Sequence, residues 1–169
     1  LGRSAEAGDP GGMCMLADFY YSGKLCQKDE KKMVFWLERA AEQDFGEAFA
    51  KLAFCHENGI GGLERDPARI CGLYAKAAEA GNCMALVKLG EIYMEGKMVE
   101  TDIRRARQYF EKAAEKGNHY ALFNLGFMAA EGIGQDADDR KAAIYFLDAA
   151  RRGNLHAQFN IGSCYSDGR

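Results

Sequence analysis

The sequence predicts an all-α solenoid of helix pairs, on three observations. A double alanine recurs at Ala40-Ala41, Ala77-Ala78, Ala113-Ala114 and Ala149-Ala150, at steps of 37, 36 and 36 residues, with a fainter copy at Ser4-Ala5. Within each step the apolar residues fall at helical spacing, and Gly, Asn and Asp punctuate the same places every time. A fixed period of this size marks units that bury their apolar faces only against their neighbours. The repeats group into one domain over 1–169: the end of a preceding unit at 1–7, then units 8–43, 44–80, 81–116 and 117–152, and a partial one at 153–169.

The third unit is the clearest copy. Asn82 supplies a side-chain oxygen for an orphan helix N–H, so a first helix starts there. Ala85, Leu89 and Tyr93 lie at i, i+4 and i+8 and form one apolar stripe. Gly96 ends the helix in the left-handed conformation that glycine adopts at little cost. Asp102 caps a second helix, whose Ala106, Tyr109, Phe110 and Ala113 face inward. Small residues at Ala85, Gly90 and the double alanine allow close approach, and the aromatic rings fill the remaining space. Closing glycines recur at Gly23, Gly59, Gly132 and Gly168, second-helix caps at Asp29, Asp66 and Asp138, and the leucine position at Leu16, Leu52, Leu125 and Ile161. Pro10 and Pro67 each follow an Asp cap, at the one helical position that tolerates proline. The second unit carries one extra residue, placed in the loop from Gly59 to Arg65, where it leaves helix packing intact.

These residues resemble the Sel-1-like repeat, a relative of the tetratricopeptide repeat, across essentially the whole chain. The likeness is sharpest at Glu131-Gly132-Ile133-Gly134 and at Asp138-Asp139-Arg140-Lys141-Ala142-Ala143-Ile144-Tyr145. Departures are His56 and Ala129 for the tyrosine, Ala17 and Ala53 for the glycine, and Met33 and Ile70 for the second-helix alanine. The resemblance implies a right-handed superhelix of antiparallel helix pairs that acts as an adaptor or scaffold. Some cysteine-rich members bind or hydrolyse β-lactams. Their cysteine positions correspond here to Ala78 and Leu86, or Ala114 and Leu122, so that activity does not transfer and no enzyme is expected.

The bulk numbers exclude other classes. Apolar residues at 48% and charged residues at 28% are ordinary for a folded chain. A net charge of −3, with both signs mixed along the chain, supplies no basic face for phosphates, so no nucleic-acid partner is expected. No apolar run approaches a membrane span, and Leu1-Gly2-Arg3-Ser4 does not open a signal peptide. Both ends fall inside a repeat, which points to a segment of a longer array. Cys14, Cys26, Cys55, Cys71, Cys83 and Cys164 share no repeat phase and form no CxxC, which argues for core thiols and leans toward a reducing, cytoplasmic compartment. His56 replaces a packing tyrosine and is expected to pack or hydrogen-bond in the core. Cys83 and His119 share one repeat offset, but two ligands do not make a zinc site, so no metal or other cofactor is expected.

The resemblance to tetratricopeptide arrays implies a concave groove lined by the first helices. Its positions lie three, six, ten, thirteen and fourteen residues after the Gly or Asp that opens each unit. At about 100° per residue these point roughly opposite the apolar stripe. The groove face then reads Tyr120, Phe123 and Phe127 in the fourth unit, Met84, Val87 and Met94 in the third, Phe54 in the second, and His156 and Phe159 in the fifth. A helix apolar on both faces is covered on both or receives a partner. The rings either tuck against neighbouring helices, or are covered by a flanking repeat or a homodimer, or anchor a docked peptide on Phe123, Phe127 and Phe159. Glu95, Glu131 and Asp167 each precede a closing glycine, against the helix macrodipole. With Glu91 they either form an acidic edge that attracts Lys or Arg of a partner, or a solvated edge offset by residues such as Lys97.

Overall fold

A computed structural model describes residues 5–166, with side chains as far as 161. The described residues form α1 (Pro10–Ser22), α2 (Glu30–Ala41), α3 (Gly46–Asn58), α4 (Pro67–Glu79), α5 (Cys83–Glu95), α6 (Ile103–Glu115), α7 (His119–Ala130), α8 (Asp139–Arg151) and α9 (Leu155–Ser166). They contain no strand. A short 3-10 turn at Ile60–Gly62 occupies the loop of the second unit, where the extra residue falls.

Each boundary has a local cause. The carboxylates of Asp29, Asp102 and Asp138 accept N–H bonds from Lys32 (3.0 Å), Arg105 (2.9 Å) and Lys141 (2.9 Å), and Asp66 accepts from Ala68 at 2.9 Å. Gly23, Gly59, Gly96 and Gly132 close the first helices with φ between 66° and 69°. Within a pair the chain then folds straight back. The N–H of the next cap reaches the carbonyl nine residues earlier: Asp29 to Tyr20, Asp102 to Tyr93, and Asp138 to Ala129, at 2.9–3.0 Å. In the lengthened second loop that bond is replaced, because His56 Nδ1 lies 2.9 Å from the Glu64 carbonyl oxygen. His56 is 4% exposed, so it has the core hydrogen-bonding role its sequence position implied.

Three of the junctions from a second helix to the next first helix use one dipeptide, Gly-Asn, at 81-82, 117-118 and 153-154. At Gly117-Asn118 the glycine N–H bonds Ala114 O and the asparagine N–H bonds Ala113 O; at Gly153-Asn154 the partners are Ala150 and Ala149. This is the six-to-one and five-to-two pattern that closes a helix on a left-handed glycine. The same asparagine then caps the following helix, Asn118 through Tyr120 and Ala121 and Asn154 through Ala157. At the corresponding turn before α3, Asp44 holds φ 56°, the one non-glycine residue with positive φ among those described, and Phe45 provides no side-chain cap.

The helices fall into two compact units, one up to Ala85 and one from Leu86. In the first, α1–α4 enclose Met13, Cys14, Ala17, Met33, Val34, Leu37, Leu52 and Cys55. Met33 and Ile70, where alanine was expected, are 3% and 0% exposed and fill the core with larger side chains. In the second unit, Gly90 and Gly126 lie directly under the rings of Phe110 and Phe146. A Cβ on Gly126 would stand 2.8 Å from Phe146, so the absence of a side chain sets how closely α7 and α8 approach.

Candidate docking surface on the first helices

Helix α7 buries Ala121, Leu122, Leu125, Met128 and Ala129. Its other side carries Tyr120, Asn124, Phe127 and Glu131, spaced i, i+4, i+7 and i+11, so they share one face. Tyr120 is 44% and Phe127 40% exposed. Asn124 Nδ2 donates to the Tyr120 carbonyl at 3.1 Å and stays on the same strip. Phe127 makes no ring contact among the described residues, whereas Phe123 is half-buried between Phe146 (5.5 Å) and His156 (5.9 Å).

The sixth position is therefore covered in the first, third and fourth units. Val87 is 1% exposed, as is Cys14 at the same place in the first unit. This corrects the expectation for Val87, which has no surface to offer a partner. In α7 the cause is visible: the side chain at this position leans onto its own second helix. Phe159 is 76% exposed at the same position, and no second helix follows α9 among the described residues. Met84 is 44% exposed, and Met94 is half-buried.

In the first compact unit, Phe54 is 40% exposed and meets Tyr21 edge-on at 6.4 Å. A charge clasp that sequence reading missed joins the same two helices. Lys51 Nζ on α3 donates to both carboxylate oxygens of Asp18 on α1 (2.7 and 2.6 Å), and lies 2.8 Å from Glu47. Burial pulls the Lys51 ammonium down, but Asp18 and Glu47 outweigh it and hold it above its ordinary value. The local signal was a lysine one position after the groove's sixth residue with Glu47 one turn before it; Asp18 comes from another helix, 33 residues away.

Two of the four acidic-edge residues are paired within the chain. Glu91 pairs with Lys88 and Glu95 with Lys97, each at 2.8 Å. Glu131 is exposed and makes no ion pair among the described residues, and Asp167 lies outside them.

Among the described residues no three His, Cys, Asp or Glu side chains are grouped to hold a metal. His119 instead locks the start of α7 to α9: Asn154, 1% exposed, places Nδ2 3.3 Å from His119 Nδ1 and 3.2 Å from its carbonyl. Cys14 and Cys55 are core thiols, as expected, and burial pushes each up to about 11. Cys26, Cys71 and Cys83 are only half-buried and all are unpaired, while the Cys164 side chain lies outside those described. No helix among the described residues is long and apolar enough to cross a membrane.

The Sel1 repeat model matches residues 10–45, 47–82, 83–118, 119–154 and 155–169. The chain belongs to the Sel1 repeat family. Among solved structures it is similar to a Sel1 repeat protein from Oxalobacter formigenes, 33% identical with a TM-score of 0.92 over 99% of this chain and 68% of that one. It is also similar to a protective antigen with this fold present in uropathogenic Escherichia coli strains, 28% identical with a TM-score of 0.80 over 98% of this chain and 35% of that one. Chitin synthase regulatory factor 3 of Schizosaccharomyces pombe is 32% identical over 109 residues, which is 63% of this chain but 12% of that protein's length. Sel1 repeat proteins generally mediate protein–protein interaction, and the family is generally non-enzymatic.

Proposed function

We propose that this Sel1 repeat chain is an interaction scaffold whose first helices dock a segment of another protein. The observation that carries the reading is the strip Tyr120, Asn124, Phe127 and Glu131. Two aromatic rings stay about two-fifths exposed on a helix whose other side is fully buried. Aromatic side chains of this kind dominate binding energy where they are desolvated by a partner. Exposed Glu131 at the end of the strip favours a segment with Lys or Arg following its apolar anchor. Phe54 with Tyr21, and Met84, extend the same chemistry to other first helices. The name of the fission-yeast relative, a regulatory factor, is in keeping with a scaffold.

A photo-crosslinking phenylalanine analogue placed at position 127, and in parallel at exposed Glu111 on α6 as a control, tests this in cells of the source organism. The expected result is a heterologous protein linked at 127, not at 111, and lost when Tyr120 is changed to Ser. Light scattering on the purified chain separates the alternative. A concentration-dependent dimer abolished by Phe127→Ser would assign the strip to self-association instead.

A further inference from the structure

Four second helices repeat one design, and the outward face of α8 departs from it. At about 100° per residue, Arg140, Ile144, Leu147 and Arg151 lie within roughly 60° of one another. The corresponding residues are Lys31, Phe35, Glu38 and Glu42 on α2, Ala68, Gly72, Ala75 and Glu79 on α4, and Arg104, Gln108, Glu111 and Glu115 on α6. Every other second helix places a glutamate where α8 has Arg151. Both α2 and α6 also have one where α8 has Leu147. Ile144 is 66% and Leu147 39% exposed, and Arg140, Ala143 and Arg151 are exposed with them. Neither arginine has a carboxylate partner among the described residues. Asp148, the acid closest to this face on the helix, is already held by Arg152 at 3.0 Å. The inward side of α8 is occupied separately, with Ala142 and Ala149 buried and Phe146 over Gly126.

We propose that the outward face of α8 is a second docking surface, for a helical protein segment with an apolar centre flanked by carboxylates. An apolar pair between two unpaired guanidiniums is complementary to that arrangement. The arginines are eleven residues apart, about 16 Å along the helix, so the carboxylates of the partner stand three turns apart. An anionic bilayer fits the face less well. The apolar stripe is a single row two side chains long, too small to seat a helix in a bilayer surface. This surface is independent of the first-helix strip, because it lies on the other helix of the pair.

The probe is a labelled synthetic helical peptide with leucines on its central turn and a glutamate on each outer turn, read by fluorescence anisotropy against a counterpart with lysines at those places. The expected result is that the intact chain binds the glutamate peptide at least about tenfold more tightly than the lysine one. Ile144→Ser weakens it about tenfold. The pair Arg140→Glu and Arg151→Glu reverses the preference between peptides. Leu147→Gln reads the same face if Ile144→Ser lowers the melting temperature. Equal affinity for both peptides, or binding indifferent to these substitutions, overturns the proposal. So does flotation with phosphatidylserine vesicles that Ile144→Ser abolishes, or a concentration-dependent dimer that the same change dissolves.

Discussion

Gly90 lies so close beneath Phe110 that a Cβ there would stand 2.5 Å from the ring. Twenty residues separate this pair, as they do Gly126 and Phe146. The same spacing in the first unit joins Ala17 to Leu37, both fully buried in one cluster. The small residue and the large one are matched in size within a single chain. Gly90→Ala is therefore expected to cost about 1–3 kcal/mol by overpacking. In the background of Phe110→Leu it should cost at least about 1 kcal/mol less, a coupling that a urea-denaturation double-mutant cycle reads directly.

Asp44 occupies a left-handed turn that glycine fills at Gly117 and Gly153. Asp44→Gly should stabilise the chain by about 0.5–1 kcal/mol, the left-handed penalty less the extra backbone freedom of glycine in the unfolded chain. Gly153→Asp should lose a similar amount, since no atom within 4 Å of the added Cβ adds a steric term. Opposite shifts in thermal midpoint for the two variants check the argument.

These turns show what was legible in the sequence. The caps Asp29, Asp66, Asp102 and Asp138 and the closing glycines Gly23, Gly59, Gly96 and Gly132 were readable because each acts on backbone atoms within a few residues of itself, while Gly168 lies outside the described residues. The burial of His56 was legible from its place in a column of packing tyrosines, and Lys97, offered as one reading of how the edge is offset, stands two residues from the Glu95 it pairs with. The sixth groove position was not legible. A helical wheel gives the direction of Val87 and Phe123 but not which neighbouring helix stands in that direction. In α7, Phe146 and His156 come from two different helices, and neither is close in sequence. The α8 face was missed although the signal was present: Leu147 and Arg151 break a column of glutamates.

Asn154 does two jobs with one amide, accepting from Ala157 N–H at 2.9 Å and donating to the His119 carbonyl at 3.2 Å. Asn154→Asp keeps the cap but loses the donor and turns a buried oxygen toward that carbonyl. It should cost about 1–3 kcal/mol, comparable to or worse than Asn154→Ala. Hydrogen exchange should show the loss first in the opening turns of α7 and α9.

Cys14 and Cys55, raised by burial from 9.0 to about 11, stay neutral in the folded chain while unfolded thiols ionise. Their contribution is whole below pH 9.0 and declines as pH rises toward about 11, so stability should fall across that window. Replacing both by Ala should flatten the alkaline limb of a stability–pH curve. In native conditions iodoacetamide should label Cys26 and Cys83 well before Cys14 or Cys55, as mass spectrometry of digests would show.

The Gly-Asn dipeptide leaves no slack where one repeat hands over to the next. One residue finishes a helix and its neighbour has already begun another, so an insertion there would break two hydrogen-bonded ends at once. The loop inside a pair is forgiving, as the extra residue between Gly59 and Arg65 demonstrates. Length variation, and any grafted loop, therefore belongs within the hairpins, whose tips are where the chain can be edited.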